Sequence, residues 1–260
     1  MKNMEPESVI LCEGYHDRAF LSGLLQSHGC TSLKEKPYRG GQPLRGRGQY
    51  GFRTPSGEWL RVAPVDGDGN LLPAAKKLLE DRHTNRLSRV LVVRDEDADE
   101  SMRQVENLPH AALDQRAKLG KWARDNANAR PVPGTNDFEL DGGIVTTRLS
   151  FLIWQVTGLD GANVPSKQTL ERLVCAAIDE AYGPRCKAVW EFINSRPAPP
   201  AHEKLHKTHA ASHMAGWYSE RGYEGFFLAI WDDEAIRDAL RRRLDAAGAT
   251  PIIAALLGSG

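Results

Sequence analysis

Two acidic groups, each at the end of an apolar run, are the residues of this chain best suited to chemistry. Val9-Ile10-Leu11-Cys12 leads into Glu13-Gly14-Tyr15-His16-Asp17, and Val90-Leu91-Val92-Val93 leads into Arg94-Asp95-Glu96-Asp97-Ala98-Asp99. Carboxylates gathered beyond strand ends supply the hard oxygen ligands that hold Mg²⁺ or Mn²⁺ against a phosphate. Crowding them without a cation is costly, because like charges disfavour each other's ionised forms. Taken singly, each group also reads as a solvated helix N-terminus, where acids are ordinary. Their shared placement behind hydrophobic strands is what points to a common metal site.

The elements that must position these acids follow from periodicity. Val9 to Leu11 reads as a buried strand, with Gly14 turning the chain into a helix carrying Ala19, Phe20, Leu21, Leu24 and Leu25 and stopping near Gly29. Residues 37 to 57 are basic and glycine-rich and read as a loop or loose hairpin. Trp59 to Val65 reads as a strand, Leu71 to Leu79 as a helix, and Val90 to Val93 as a strand of a sheet covered on both faces. A helix is expected from Ser101 into the 110s, a loop over 130 to 142, and a last strand over Ile144 to Val156. From Thr169 the pattern is helical, with a proline-rich break at Arg196 to Pro200, a helix over Lys204 to Glu220, and a final helix over Asp233 to Ala247. Asp232 or Asp233 is its N-cap and Gly248 its stop. The alternation gives an α/β fold with a mostly parallel sheet flanked by helices over residues 1–160, and a mainly helical C-terminal region over 161–260 packing on it.

The chain has 260 residues, with 34 Lys plus Arg against 34 Asp plus Glu, so net charge alone does not select nucleic acid; a local basic patch remains compatible with it. Cys12, Cys30, Cys175 and Cys186 form no CxxC pair, which argues against a zinc ribbon, and Cys12 reads as a small buried hydrophobe. There is no charged-then-apolar leader and no apolar run of about 18 residues, so the expectation is a soluble, cytoplasmic chain with no membrane partner.

Glu13-Gly14-x-x-Asp17 after one strand and Asp95-x-Asp97 after a later one resemble the Toprim domain, and the stand-alone OLD-type Toprim nucleases in particular. The resemblance covers roughly residues 8 to 110. It implies a Toprim-like fold and metal-dependent phosphodiester hydrolysis of DNA or RNA. It assigns Glu13 to acid/base catalysis or metal binding, and Asp17, Asp95 and Asp97 to a divalent metal. By order along the chain, Glu171 in Leu170-Glu171-Arg172-Leu173 is the later metal-binding acid, with Glu139 a weaker substitute, and Lys207 or Lys204 is the catalytic amine. The long stretch between the two motifs departs from the pattern. OLD-type nucleases often work with an ABC-type ATPase, and no Gly-x-x-x-x-Gly-Lys-Ser/Thr loop occurs here, so such a partner would act in trans. The chain is too short for a topoisomerase DNA gate and lacks a primase's zinc module.

Arg39, Arg45, Arg47 and Arg53 fit a clamp on the phosphate backbone, with Tyr50 and Phe52 stacking on unpaired bases. His202, His206, His209 and His213, spaced by 4, 3 and 4, lie on one helical face. That face reads as polar, lining the groove, in preference to a Zn²⁺ site, because no HExxH pattern surrounds it. The Trp217-Tyr218, Phe226-Phe227 and Trp231 cluster reads as C-terminal core. Two other classes compete with the nuclease. A non-catalytic nucleic-acid-binding module would use the same acids for a structural Mg²⁺. A response-regulator-like or phosphatase-like protein is disfavoured because Asp95-Glu96-Asp97-Ala98-Asp99 lacks the hydroxyl or β-branched residue expected in its D-x-D-x-[TV] context.

Overall fold

The computed structural model of the chain describes residues 7–33, 48, 50–84, 86–97, 111–156, 163–197 and 205–258. These fall into two compact units. The first comprises the described residues of Met1–Arg94, Leu113–Leu152 and Thr250–Gly260, and the second those of Asp95–Ala112 and Ile153–Ala249.

The first unit is built on β1 (Glu7–Cys12), β2 (Thr31–Ser32), β3 (Tyr50–Arg53), β4 (Trp59–Pro64), β5 (Leu87–Asp95), β6 (Arg130–Pro131), β7 (Phe138–Leu140) and β8 (Thr147–Trp154). Their order in one sheet is β2-β3-β4-β1-β5-β8-β7-β6. Helices α1 (Tyr15–Ser27), α2 (Asp68–Glu80) and α3 (Ala111–Ala127) connect the strands. The architecture is α/β. The sheet is mixed, however, and not mostly parallel. β1 pairs in parallel with β4 and β5, whereas the pairs β2–β3, β3–β4, β6–β7 and β7–β8 are antiparallel. The reason is connection length. Between β3 and β4 a tight turn is closed by Thr54 N–H on Glu58 O at 3.0 Å and Gly57 N–H on Thr54 O at 2.9 Å, with Gly57 at φ 86°. So short a link can only reverse the strand, while a parallel crossover needs a dozen residues or more. The stretch read as a loop over 130 to 142 contains such a reversal, since Val132 N–H donates to Asp137 O at 3.0 Å.

β1 is buried along its whole length, Val9 to Cys12 as an apolar run in the middle of a two-sided sheet should be, and Glu7 by its ion pair with Arg61 at 2.9 Å. Leu11, Val65, Leu79, Val92, Leu119 and Leu149 belong to one core cluster. Phe52, expected to stack on bases, is fully buried, in a strand held between β2 and β4. The close approach of α3 to β7 depends on Gly120, where an added Cβ would lie 2.7 Å from the Phe138 ring. Gly120→Ala is therefore expected to cost about 1–3 kcal/mol in denaturant unfolding despite alanine's better helix propensity. A gain in stability would show that the ring moves aside freely.

The second unit is helical: α4 (Leu170–Asn194), α5 (Leu205–Trp217), α6 (Gly222–Ala229) and α7 (Glu234–Ala246). Thr169 caps α4 by accepting Arg172 N–H at 3.4 Å. α4 kinks at Tyr182 (φ −143°, ψ 64°), two residues before Pro184, which has no N–H to give its helix. Asp233 caps α7 as expected, accepting Ile236 N–H at 3.1 Å, and Gly248 follows its end at φ 71°. A last helix, α8 (Ala249–Leu256), was not anticipated. Phe226, Phe227 and Trp231 are core, but Trp217 is 45% exposed. Among the described residues no helix is long and apolar enough to cross a membrane.

Candidate active site

In the first unit, β1 delivers Glu13 and α1 begins immediately after it. Gly14, the N-cap, is extended (φ −144°, ψ −175°), and its N–H donates to Asp17 Oδ2 at 3.2 Å. Asp17 thus sits in the first helical turn, where exposed N–H groups favour a negative charge. A side chain at position 14 would meet only Asp17 Oδ2, at 3.8 Å, so neither space nor conformation demands glycine there. Arg94, buried on β5, brings its Nε to 3.5 Å from Glu13 Oε1. Burial pushes the Cys12 thiol well up, and Asp17 and then Glu13 add to the rise against the opposing Arg18. Both acids therefore act on the end of β1. Arg18 is itself buried, 4.0 Å from the Tyr50 ring centroid, and donates to Gly48 O.

In the second unit, three of the expected acids come together around the start of α4. Asp95 Oδ1 accepts Leu170 N–H at 2.7 Å. Asp97, at φ 60°, donates its N–H to Gln168 O at 3.0 Å, and its Oδ1 takes Lys167 Nζ at 2.8 Å. Positive φ is uncommon outside glycine but is tolerated best by Asp and Asn. Glu171, one residue into α4, is buried. The segment holding these groups is firmly anchored. Gln168 bonds Val156 N–H and Val156 O at 2.7 Å each, and buried Arg172 donates to Val156 O at 3.2 Å and to Pro165 O.

The electrostatics tie the same residues into one neighbourhood. The Tyr223 phenol is raised, first by burial, then by Glu171, Cys175, a hydrogen bond to Glu171, and Asp95. His206 is lowered, first by burial; Glu171 and Asp97 act against that, while Lys167 and Lys207 reinforce it. Asp95, Asp97, Glu171, Lys167, His206 and Tyr223 therefore share one polar cluster. Lys207 lies exposed on α5, one residue beyond His206.

The donor chemistry of this cluster fits a hard divalent cation: three carboxylates and no thiolate. Their charge is met here by Lys167, and among the described residues no three His, Cys, Asp or Glu side chains are already arranged to grip an ion.

No family profile and no curated protein matches the sequence. The fold is similar to the crystal structure of hypothetical protein PH0156 from Pyrococcus horikoshii OT3. That similarity has a TM-score of 0.67 at 15% identity, over 98% of this chain and 100% of the other. At that identity the likeness concerns the fold alone.

Arg39, Arg45, Arg47, Asp99, His202 and Lys204 lie outside the described residues. Arg53 stacks on Trp59, 3.8 Å from its centroid, and donates to Gly57 O at 2.5 Å. Glu139 stands on β7, paired in register with Arg148 of β8. His206, His209 and His213 are buried and do not form a polar groove-lining face, because α5 turns them toward α4, where Trp190 packs on His209 at 5.0 Å. Lys167, Tyr223 and Arg94 were not anticipated. Lys167 could have been noticed four residues before Glu171, beside the Thr169 cap; the other two carried no local signal.

Proposed function

We propose that the chain is a Toprim-like, metal-dependent nuclease hydrolysing phosphodiester bonds of DNA or RNA with Mg²⁺ or Mn²⁺, in the manner of the stand-alone OLD-type enzymes. The observation that carries this reading is the joining of Asp95, Asp97 and Glu171 into one cluster at the start of α4. Glu171, more than seventy residues from the Asp95-x-Asp97 motif and selected from motif order alone, shares its polar neighbourhood. Glu13 follows β1, and Asp95 ends β5, its parallel neighbour in the sheet. In open α/β sheets ligands bind beyond the carboxyl ends of such strands.

Asp95, Asp97 and Glu171 would hold the metal within the helical unit. The metal would stabilise charge on the attacking and leaving oxygens. Glu13 would take or return a proton at its carboxylate, oriented by Arg94. Lys167 or Lys207 would present an ammonium to the charge growing on the phosphoryl oxygens. Tyr223 would hold the Glu171 carboxylate in one orientation. Arg39, Arg45, Arg47 and Arg53 would contact the nucleic-acid backbone, a cytoplasmic setting suits such a substrate, and an ABC-type ATPase would act as a partner in trans.

A second reading, a nucleic-acid-binding module without catalysis, draws on the Lys167–Asp97 ion pair, which offsets one of the three carboxylates without a metal. One assay separates the two. Plasmid, single-stranded DNA and tRNA are incubated with the protein and with Glu13→Ala, in Mg²⁺ or Mn²⁺. Metal-dependent cleavage by wild type, lost in the variant, is expected. Substrate binding with no cleavage under any condition, with metal uptake intact, would favour the module.

A further inference from the structure

We infer that the groove between the second half of α4 and α5 is a docking site for an acidic amphipathic helix of a partner protein. The cavity measures about 600 Å³ and belongs wholly to the helical unit. Its lining is mostly small, Ala188 on α4 and Ala211, Ser212, Ala215 and Gly216 on α5 with Val189 and Thr208, and it includes the rings of Phe192 and Trp217. Those two rings are 51% and 45% exposed, among the most exposed large apolar side chains of the described residues. Small residues recurring at helical spacing let another backbone approach closely, and aromatic anchors are what helix-in-groove recognition uses. α5, at 13 residues, offers a groove wall about 20 Å long, enough for an incoming helix of roughly three to four turns.

The rim decides the occupant. Arg196 stacks on Phe192 at 3.9 Å and Arg185 on Trp217 at 4.4 Å, and exposed Lys187 stands beside Ala188. Cation–π seating leaves the Arg196 charge unneutralised, whereas Arg185 also engages Tyr218 and Tyr182 inside the helical unit and contributes less. Glu191, 3.8 Å from Lys187, offsets only part of the set. Acidic residues flanking an apolar helix face complement this rim. A second copy of the chain is the poorer match, because it would bring the same surplus of cations to the interface. Single-stranded nucleic acid, which cations and aromatic rings also suit, is the competing occupant that the test separates.

The test uses the full chain and two synthetic helical peptides of about 14 residues. Both carry Leu at successive i, i+4, i+7 and i+11 positions; one is flanked by Glu and the other by Lys. Fluorescence anisotropy is expected to give a Kd of about 10–100 μM for the Glu peptide and binding roughly tenfold or more weaker for the Lys peptide. Ala211→Trp, which fills the groove, should weaken the Glu peptide more than about tenfold, and Phe192→Ser, at an exposed position that tolerates change, should do so about fivefold. The pair Lys187→Glu and Arg196→Glu should reverse the peptide preference. None of these residues belongs to the carboxylate cluster, so cleavage should be unchanged and the two proposals fail independently. Failure of both peptides to bind would overturn the inference. So would equal binding of both, or competition by a single-stranded oligonucleotide that the Phe192→Ser change abolishes.

Discussion

Asp95→Asn is expected to lower metal-dependent cleavage about 10³-fold while the protein stays folded. The two effects separate because Asp95 does two jobs. Its Oδ1 accepts the Leu170 N–H that would otherwise be unpaired at the start of α4. Asparagine keeps an oxygen at that position, so the helix start remains satisfied, and only the charge that would bind a cation is lost. Asp95→Ala removes both, and should unfold about 1–2 kcal/mol more easily than wild type. Glu171→Gln should behave like Asp95→Asn, since the amide oxygen can still accept from Tyr223. Tyr223→Phe leaves the Glu171 charge but frees its orientation, and a milder loss of about 10–100-fold is expected. Single-turnover cleavage with urea unfolding on the same preparations measures all four. An Asp95→Asn protein that cuts at the wild-type rate would remove the cluster from the mechanism.

The second large effect is on stability. His209 and His213 are fully buried, and neither His209 ring nitrogen nor His213 Nδ1 has a hydrogen-bond partner among the described residues. Burial lowers His209 from 6.5 to about 4. Burial, His209 and Arg185 lower His213 from 6.5 to about 3. A histidine lowered in the folded state is held neutral there, while the unfolded chain takes up its proton near pH 6.5. Stability is therefore intact above pH 6.5, declines as pH falls through that value, and stops declining only below the folded values. By pH 5 each residue is expected to cost roughly 2 kcal/mol, a large share of the 5–15 kcal/mol that ordinarily holds a domain. Urea unfolding at pH 7, 6 and 5 measures the slope, before most carboxylates begin to titrate. His213→Leu should flatten it by about half. Equal slopes in wild type and variant would mean that His213 is protonated without loss of its packing. The 3.8 Å approach of its Nε2 to Cys186 Sγ makes such a result unexpected.

Elements whose signal is local were legible from residue order. A run such as Val9 to Cys12 must be buried, and a cap such as Thr169 or Asp233 must open a helix, because the interactions responsible lie within a few residues. Tyr50 to Arg53 and residues 130–142 were harder, since a short strand is stabilised by the neighbour it pairs with and not by its own sequence. The histidines of α5 were misjudged for a related reason. Their spacing fixes a common face, but what that face meets depends on where α4 runs.

The sequence by itself determined the acids Glu13, Asp17, Asp95, Asp97 and Glu171 as candidates, their positions after β1, at the end of β5 and at the start of α4, and the α/β class. Spacing and periodicity act along the chain, so they can be read from it. Tertiary structure decided that Asp95 and Asp97 lie by the start of α4 near Glu171, that Lys167 pairs with Asp97, that the sheet is mixed, and that His209 and His213 are core. Each of these turns on contacts between residues distant in sequence, and no local pattern encodes which partner a side chain will find.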